Sequence, residues 1–214
     1  MKVFLIRFVN MAMGLILYAF GIVFIINANI GYAPWEVFHV GLTNTIGLSI
    51  GVTSIIVGII IVIIVTALGE ELGFGTICSM ILTGIFLDII FYMNFIPKMD
   101  ELIFGIIMLI AGLFVIAIGS YFYIKSAFGV GPRDNLMVVL AKRIKLPVGL
   151  CRSLIELLVT AIGWILGGMV GIGTVISVIA IGFCIQIVFK IFKFDVTAIK
   201  HETLRDSLKS IFEY

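Results

Sequence analysis

Gly31–Leu42 reads GYAPWEVFHVGL, and ninety-eight residues later Gly129–Leu140 reads GVGPRDNLMVVL. Each stretch interrupts a long run of hydrocarbon with glycine, proline and a carboxylate. Pro34 and Pro132 suit the first position of a helix, where no N–H is needed. Glu36 and Asp134 then fall in the first turn, facing the positive end of the helix dipole. Gly31, Gly129 and Gly131 give the backbone the freedom to turn sharply. From Pro34 to about Thr45 there is helix-compatible sequence for about 18 Å at 1.5 Å per residue. A bilayer core of about 30 Å is too thick for that. The two stretches therefore predict a pair of short broken helices, re-entrant or interfacial; Tyr32 and Trp35 are at home at an interface.

Helix-starting chemistry alone accounts for the glycines, prolines and acids. The same geometry also suits binding, because a half-helix that begins inside a membrane protein points free N–H groups into a protein-lined space. Glu36 and Asp134 there suit a cation or a proton, whereas Arg133 with the free amides suits an anion. His39, one turn beyond Trp35, reads as a packing residue.

The rest of the chain sets the class. Of 214 residues, 62% are hydrophobic and 12% charged, against roughly a quarter charged in soluble domains. Apolar runs over 10–29, 50–68, 72–93, 102–124, 148–166 and 170–190 are each long enough to cross a bilayer. Six spans leave little chain over, so the expected fold class is an all-α integral membrane protein. The first run is longer than a signal-peptide core, and its pattern recurs in the second half, so it reads as a true span. Cys78, Cys151 and Cys184 form no CxxC pair and read as buried thiols, with no disulfide framework and no metal site. A net charge of +2 carries no nucleic-acid footprint. No nucleophile–base pair or cofactor loop is present in the sequence, so neither enzyme activity nor a cofactor is expected.

Residues 14–92 lie on 112–190 without a gap. Gly14, Gly21, Gly31, Gly51, Gly69, Gly73, Gly75 and Gly84 meet Gly112, Gly119, Gly129, Gly149, Gly167, Gly171, Gly173 and Gly182, and Thr76 meets Thr174. Matched backbone-special residues are hard to obtain from composition, so a duplication is expected. It divides the chain into repeats at 1–98 and 99–193 and a tail at 194–214. Three spans per repeat make the second repeat enter the membrane from the opposite side. With the N- and C-termini cytoplasmic, every Lys and Arg except Lys98 falls on or near the cytoplasmic side, as the positive-inside rule requires. Inverted repeats with interrupted helices are a recurring plan of secondary transporters.

Ionisable residues at membrane depth are functional candidates. Glu156 lies near the middle of the fifth span, one turn after Arg152, and Thr160 and Gly163 share its face. An i,i+4 ion pair that locks helix packing is the alternative reading. Gly58 is its counterpart in the first repeat, so a site here is asymmetric. Asp88, in the outer third of the third span, suits either a helix-end contact or an outward vestibule. GFGT at Gly73–Thr76 and GIGT at Gly171–Thr174 read as helix-packing motifs. In the tail, Leu204, Leu208, Ile211 and Phe212 share one helical face, which predicts a cytoplasmic surface helix.

The chain resembles the YczE/YyaS/YitT family of bacterial multi-pass membrane proteins, nearest its YczE branch. The resemblance rests on NANIGYAPWEVFHVGL with the later TIGLSIG, on SAFGVGPRDNLMVV, and on the GIGT that opens the last span. The family pattern has a further glycine and an aspartate where this chain has Ala33 and Glu36. Membership implies a bacterial cytoplasmic membrane protein and leaves the substrate open.

These features together predict a small permease with a site between inverted repeats. Glu156 and Arg152 stand at its centre, and Glu36, Asp134, Arg133 and Asp88 are further candidates. Its expected partners are the lipid bilayer and a small molecule or ion, and a homodimer is compatible with the sequence. A non-transporting scaffold or regulator acting through the basic cytoplasmic face is the alternative, and an ion channel ranks third.

Overall fold

The computed structural model describes residues 2–70 and 72–195, with side chains from residue 4 onward. The surface helix expected at Leu204–Phe212 lies outside the described residues. The described residues form helices and no strands: α1 (Lys2–Asn27), α2 (Pro34–Ile46), α3 (Ile50–Ala67), α4 (Phe74–Met93), α5 (Leu102–Lys125), α6 (Pro132–Ile144), α7 (Val148–Ile165) and α8 (Ile172–Ile191). Six of these, all but α2 and α6, are long and apolar enough to cross a membrane. They match the six apolar runs closely, except that α1 starts earlier than its run. Phe4 and Phe8 extend it by packing with Phe74 and Phe128.

The bounds of α2, α3 and α4 fall on those of α6, α7 and α8 after a shift of 98 (Pro34 onto Pro132, Met93 onto Ile191). The turn chemistry matches as well. Gly31 and Gly129 sit at φ +111° and +124°, and Gly69 and Gly167 at +88° and +90°. α2 and α6 both end on a left-handed residue, Gly47 and Lys145.

α1 and α5 form the central pair, crossing antiparallel through glycines. A Cβ on Gly14 would stand 2.7 Å from the Gly119 carbonyl oxygen, and one on Gly21 would stand 2.7 Å from that of Gly112. Only glycine allows backbones so near one another. Ile22, Ile25, Leu109 and Leu113 fill the core on either side. Around this pair the two halves exchange partners: α2 packs on α7, and α6 on α3.

The glycine-rich helix starts receive the break of the other half. Gly173 N–H donates to the Ile30 carbonyl at 2.8 Å, and Gly75 N–H donates to the Phe128 carbonyl at 2.7 Å. Those two contacts occupy equivalent positions. The Thr76 hydroxyl adds a 2.6 Å bond to the Val130 carbonyl, while Thr174 accepts from Gly171 N–H at 3.1 Å. The far ends are tied in the same way. Thr45 donates to the Leu166 carbonyl at 3.4 Å, and Arg143, its counterpart, to the Leu68 carbonyl at 2.8 Å.

One relation between the halves is broken. α3 and α4 pack along their length, whereas α7 and α8 scarcely touch. Gly51 and Gly84 abut each other's backbone, and Asp88 caps the start of α3, accepting from Gly51 N–H at 2.8 Å and Ser49 Oγ at 2.5 Å. At the equivalent Gly149 and Gly182, a Cβ would meet nothing within 4 Å. Gln186, in the place of Asp88, is exposed.

Candidate functional site

A cavity of about 390 Å³ lies where all eight helices meet. Pro132 starts α6 on its wall, and the first turn brings Arg133 and Asp134 to the lining. α2 contributes Trp35 and His39 from its buried face, and α7 contributes Arg152 and Glu156. Tyr18 of α1 and Tyr123 of α5 complete the polar wall, with Ser54, Ser79, Thr83 and Ser120 between them. The volume is within the range of about 300–1,000 Å³ typical of small-ligand sites.

Two ion pairs organise the charge. Arg133 Nη1 lies 3.4 Å from Glu36 Oε1, and Arg152 Nε donates to Glu156 Oε1 at 2.8 Å. The second is the i,i+4 pair expected on α7; the first joins the two broken helices across the halves. The Arg133 guanidinium also lies over the Trp35 ring, 4.8 Å from its centroid. Its Nη2 lies 3.3 Å from His39 Nδ1. Arginine only donates, so Nδ1 accepts and Nε2 carries the proton. That Nε2 is buried without a partner, as are Trp35 Nε1 and the Tyr123 hydroxyl.

Asp134 differs from the other acids. It is exposed to the cavity, and among the described residues no hydrogen bond or ion pair engages its carboxylate. The charges of Arg152 and Arg133 act on it without touching it. Tyr18 lies within electrostatic reach of Arg133, Glu36, Asp134 and Arg152 together.

The structure therefore gathers Glu156, Arg152, Asp134 and Arg133 at one cavity, with Glu36 held behind Arg133. Asp88 is placed elsewhere, with its carboxylate at the α3 start. Of the break residues, Gly131 and Pro132 line the cavity, while Gly31, Pro34 and Gly129 shape the loops and the helix start that lead to it. Farther along α7, Thr160 donates to the Glu156 carbonyl at 2.6 Å and Gly163 lies against the α2 backbone, with a Cβ there 2.5 Å from Phe38 N. His39, read from sequence as packing, packs and also faces Arg133. Tyr18 and Tyr123 were not signalled by the sequence beyond being hydroxylated aromatics inside apolar runs.

Helices that meet around a charged internal cavity, six of them of spanning length, define a multi-pass membrane protein. The chain belongs to the group described as "Family of unknown function (DUF6198)", whose model matches residues 5–190. It is similar to the "Uncharacterized membrane protein YczE" of Bacillus subtilis (strain 168), 32% identical over 176 residues that cover 81% of this chain and 80% of the relative. An "Uncharacterized protein" of Haemophilus influenzae (strain ATCC 51907 / DSM 11121 / KW20 / Rd) is 30% identical over 162 residues, 76% of this chain and 73% of that one. The "Uncharacterized protein YyaS" of Bacillus subtilis (strain 168) is 26% identical over 184 residues, 85% and 91% of the two chains. The resemblance to YczE and YyaS proteins thus holds. No solved structure matches the chain.

Proposed function

We propose that the protein is a small secondary transporter of the cytoplasmic membrane, with its substrate site in the cavity between two inverted repeats. The observation that carries the reading is the convergence of both broken-helix regions and the α7 ion pair on one internal cavity. Transporter sites formed at the interface of inverted repeats are built in this way. Support for the inversion comes from the antiparallel α1–α5 crossing, whose Gly14–Gly119 and Gly21–Gly112 contacts interchange when the halves are exchanged. The lysine and arginine distribution supports a cytoplasmic N-terminus.

In that orientation α2 and α6 are re-entrant half-helices, and the closed α3–α4 seam begins on the outer side. The α7 start and the α8 end, which carry Arg152, Glu156, Ile185 and Phe189 to the cavity, lie toward the cytoplasm without closing on each other. On this reading the arrangement of the helices is that of an inward-facing state. Exposure would alternate as one seam opens and the other closes. Glu156 takes the position that Gly58 holds against Met80 in the closed seam, so the two seams are not equivalent.

The test is charge movement across proteoliposomes containing the full chain, recorded while amines, amino acids and carboxylates are applied in turn. A substrate-dependent current that Glu156→Gln and Asp134→Asn abolish in folded protein supports the reading. Folded parent protein that moves none of these solutes, in cells or vesicles, sinks it. The scaffold alternative is separated by deleting residues after 193, a loss that a permease core tolerates.

A further inference from the structure

We infer that the cavity takes a small organic cation with an apolar body, such as a primary or secondary amine, with Asp134 as its counter-charge. This deepens the transport reading and rests on it only for the use made of the bound molecule.

The charge balance of the walls carries the inference. Arg133 is paired with Glu36 and Arg152 with Glu156, so each guanidinium already has a carboxylate. Asp134 is left over, open to the cavity and without a direct partner among the described residues. An entering anion would meet three carboxylates, Glu36, Glu156 and Asp134, against two guanidiniums that are already paired. An entering cation finds a carboxylate waiting. A charge-assisted hydrogen bond from an ammonium to that carboxylate is the stronger kind of polar contact.

The remaining walls fit the rest of such a molecule. Tyr18, Trp35, Tyr123 and Phe189 present aromatic surface, and Ile116 and Ile185 aliphatic surface. Aromatic faces attract organic cations as well as apolar groups. A divalent metal cation fits poorly. Ca²⁺ and Mg²⁺ need about six oxygen ligands, and among the described residues no cluster of three or more His, Cys, Asp or Glu could hold a metal ion.

The experiment uses the purified full-length chain carrying Trp164→Phe. Trp164 is 67% exposed on α7, outside the cavity, so fluorescence then reports Trp35 alone. Benzylammonium, benzyl alcohol, benzoate and sodium ion are titrated separately. The expected result is saturable quenching by benzylammonium, at least tenfold weaker binding of the other three, and a tenfold or greater loss of benzylammonium affinity in Asp134→Asn. The ranking in the parent needs no variant, so a misfolded Asp134→Asn leaves the inference testable. Benzoate binding as well as benzylammonium, a saturable response to sodium alone, or no saturable response overturns the organic-cation assignment. Transport of another solute in vesicles would survive that outcome. Conversely, selective benzylammonium binding without flux would retain the site and overturn the transport reading.

Discussion

Arg133 on α6 reaches Glu36 on α2, with 3.4 Å between Nη1 and Oε1, and so ties together the two broken helices. Glu36 is the repeat counterpart of Asp134, the residue next to Arg133. One acid of the equivalent pair is therefore neutralised by the other half, and the other is left open to the cavity.

Breaking this tie is expected to destabilise the fold. Removing one partner of a buried ion pair costs roughly 3–5 kcal/mol, and Arg133 retains some exposure, so the lower end of that range applies. Glu36→Gln should lower the melting temperature in detergent, and Glu36→Gln with Arg133→Gln should recover part of the loss. Strictly additive losses would mean that the two side chains do not interact.

The two seams give a sharper contrast. Gly84→Ala places a methyl 2.7 Å from the Gly51 carbonyl oxygen, a backbone clash of the kind that costs about 1–3 kcal/mol. Gly182→Ala, its counterpart, meets nothing within 4 Å and should gain about 0.5–1 kcal/mol from helix propensity. Melting temperatures should move in opposite directions; a drop in both would place α8 against α7 in solution.

Asp88 is expected to act on the seam and not on the ligand. Asp88→Asn weakens its bonds to Ser49 Oγ and Gly51 N–H, at a cost of about 1 kcal/mol. Benzylammonium affinity, measured by Trp35 quenching, should change less than threefold. A tenfold loss would return Asp88 to the binding site.

Topology can be read at two equivalent positions. Asn44→Cys, at the end of α2, should react with an impermeant maleimide added outside intact cells. Lys142→Cys, at the end of α6, should react only after the cells are opened. Labelling of both from one side would rule out the inversion.

Much of the fold was legible because glycine and proline mark where helices must stop and start. Apart from the earlier start of α1, the apolar runs and the helices agree to within a few residues, and the break residues lie where the turns occur. Arg152 and Glu156 were legible as a pair because one helical turn separates them. Arg133–Glu36 was not, since it depends on how α2 and α6 lie against each other across 97 residues. The separation of α7 from α8 was hidden for the opposite reason. Gly149 and Gly182 copy Gly51 and Gly84, and the difference between an open seam and a closed one lies in their neighbours, among them Glu156 and Gln186 in place of Gly58 and Asp88. GFGT and GIGT read in sequence as packing motifs; their role as hydrogen-bond donors to the carbonyls of the opposite break appears only in three dimensions.

The exchange of partners between the halves bears on how the chain is made. Gly75 waits for Phe128, and α3 for α6, so the first half leaves the ribosome with its contact surfaces unfilled. Closing those contacts requires chain far downstream, which is slow relative to local helix formation. The first half alone should be a substrate for membrane quality control, and its lifetime in the bilayer should lengthen when residues 99–214 are supplied as a separate polypeptide.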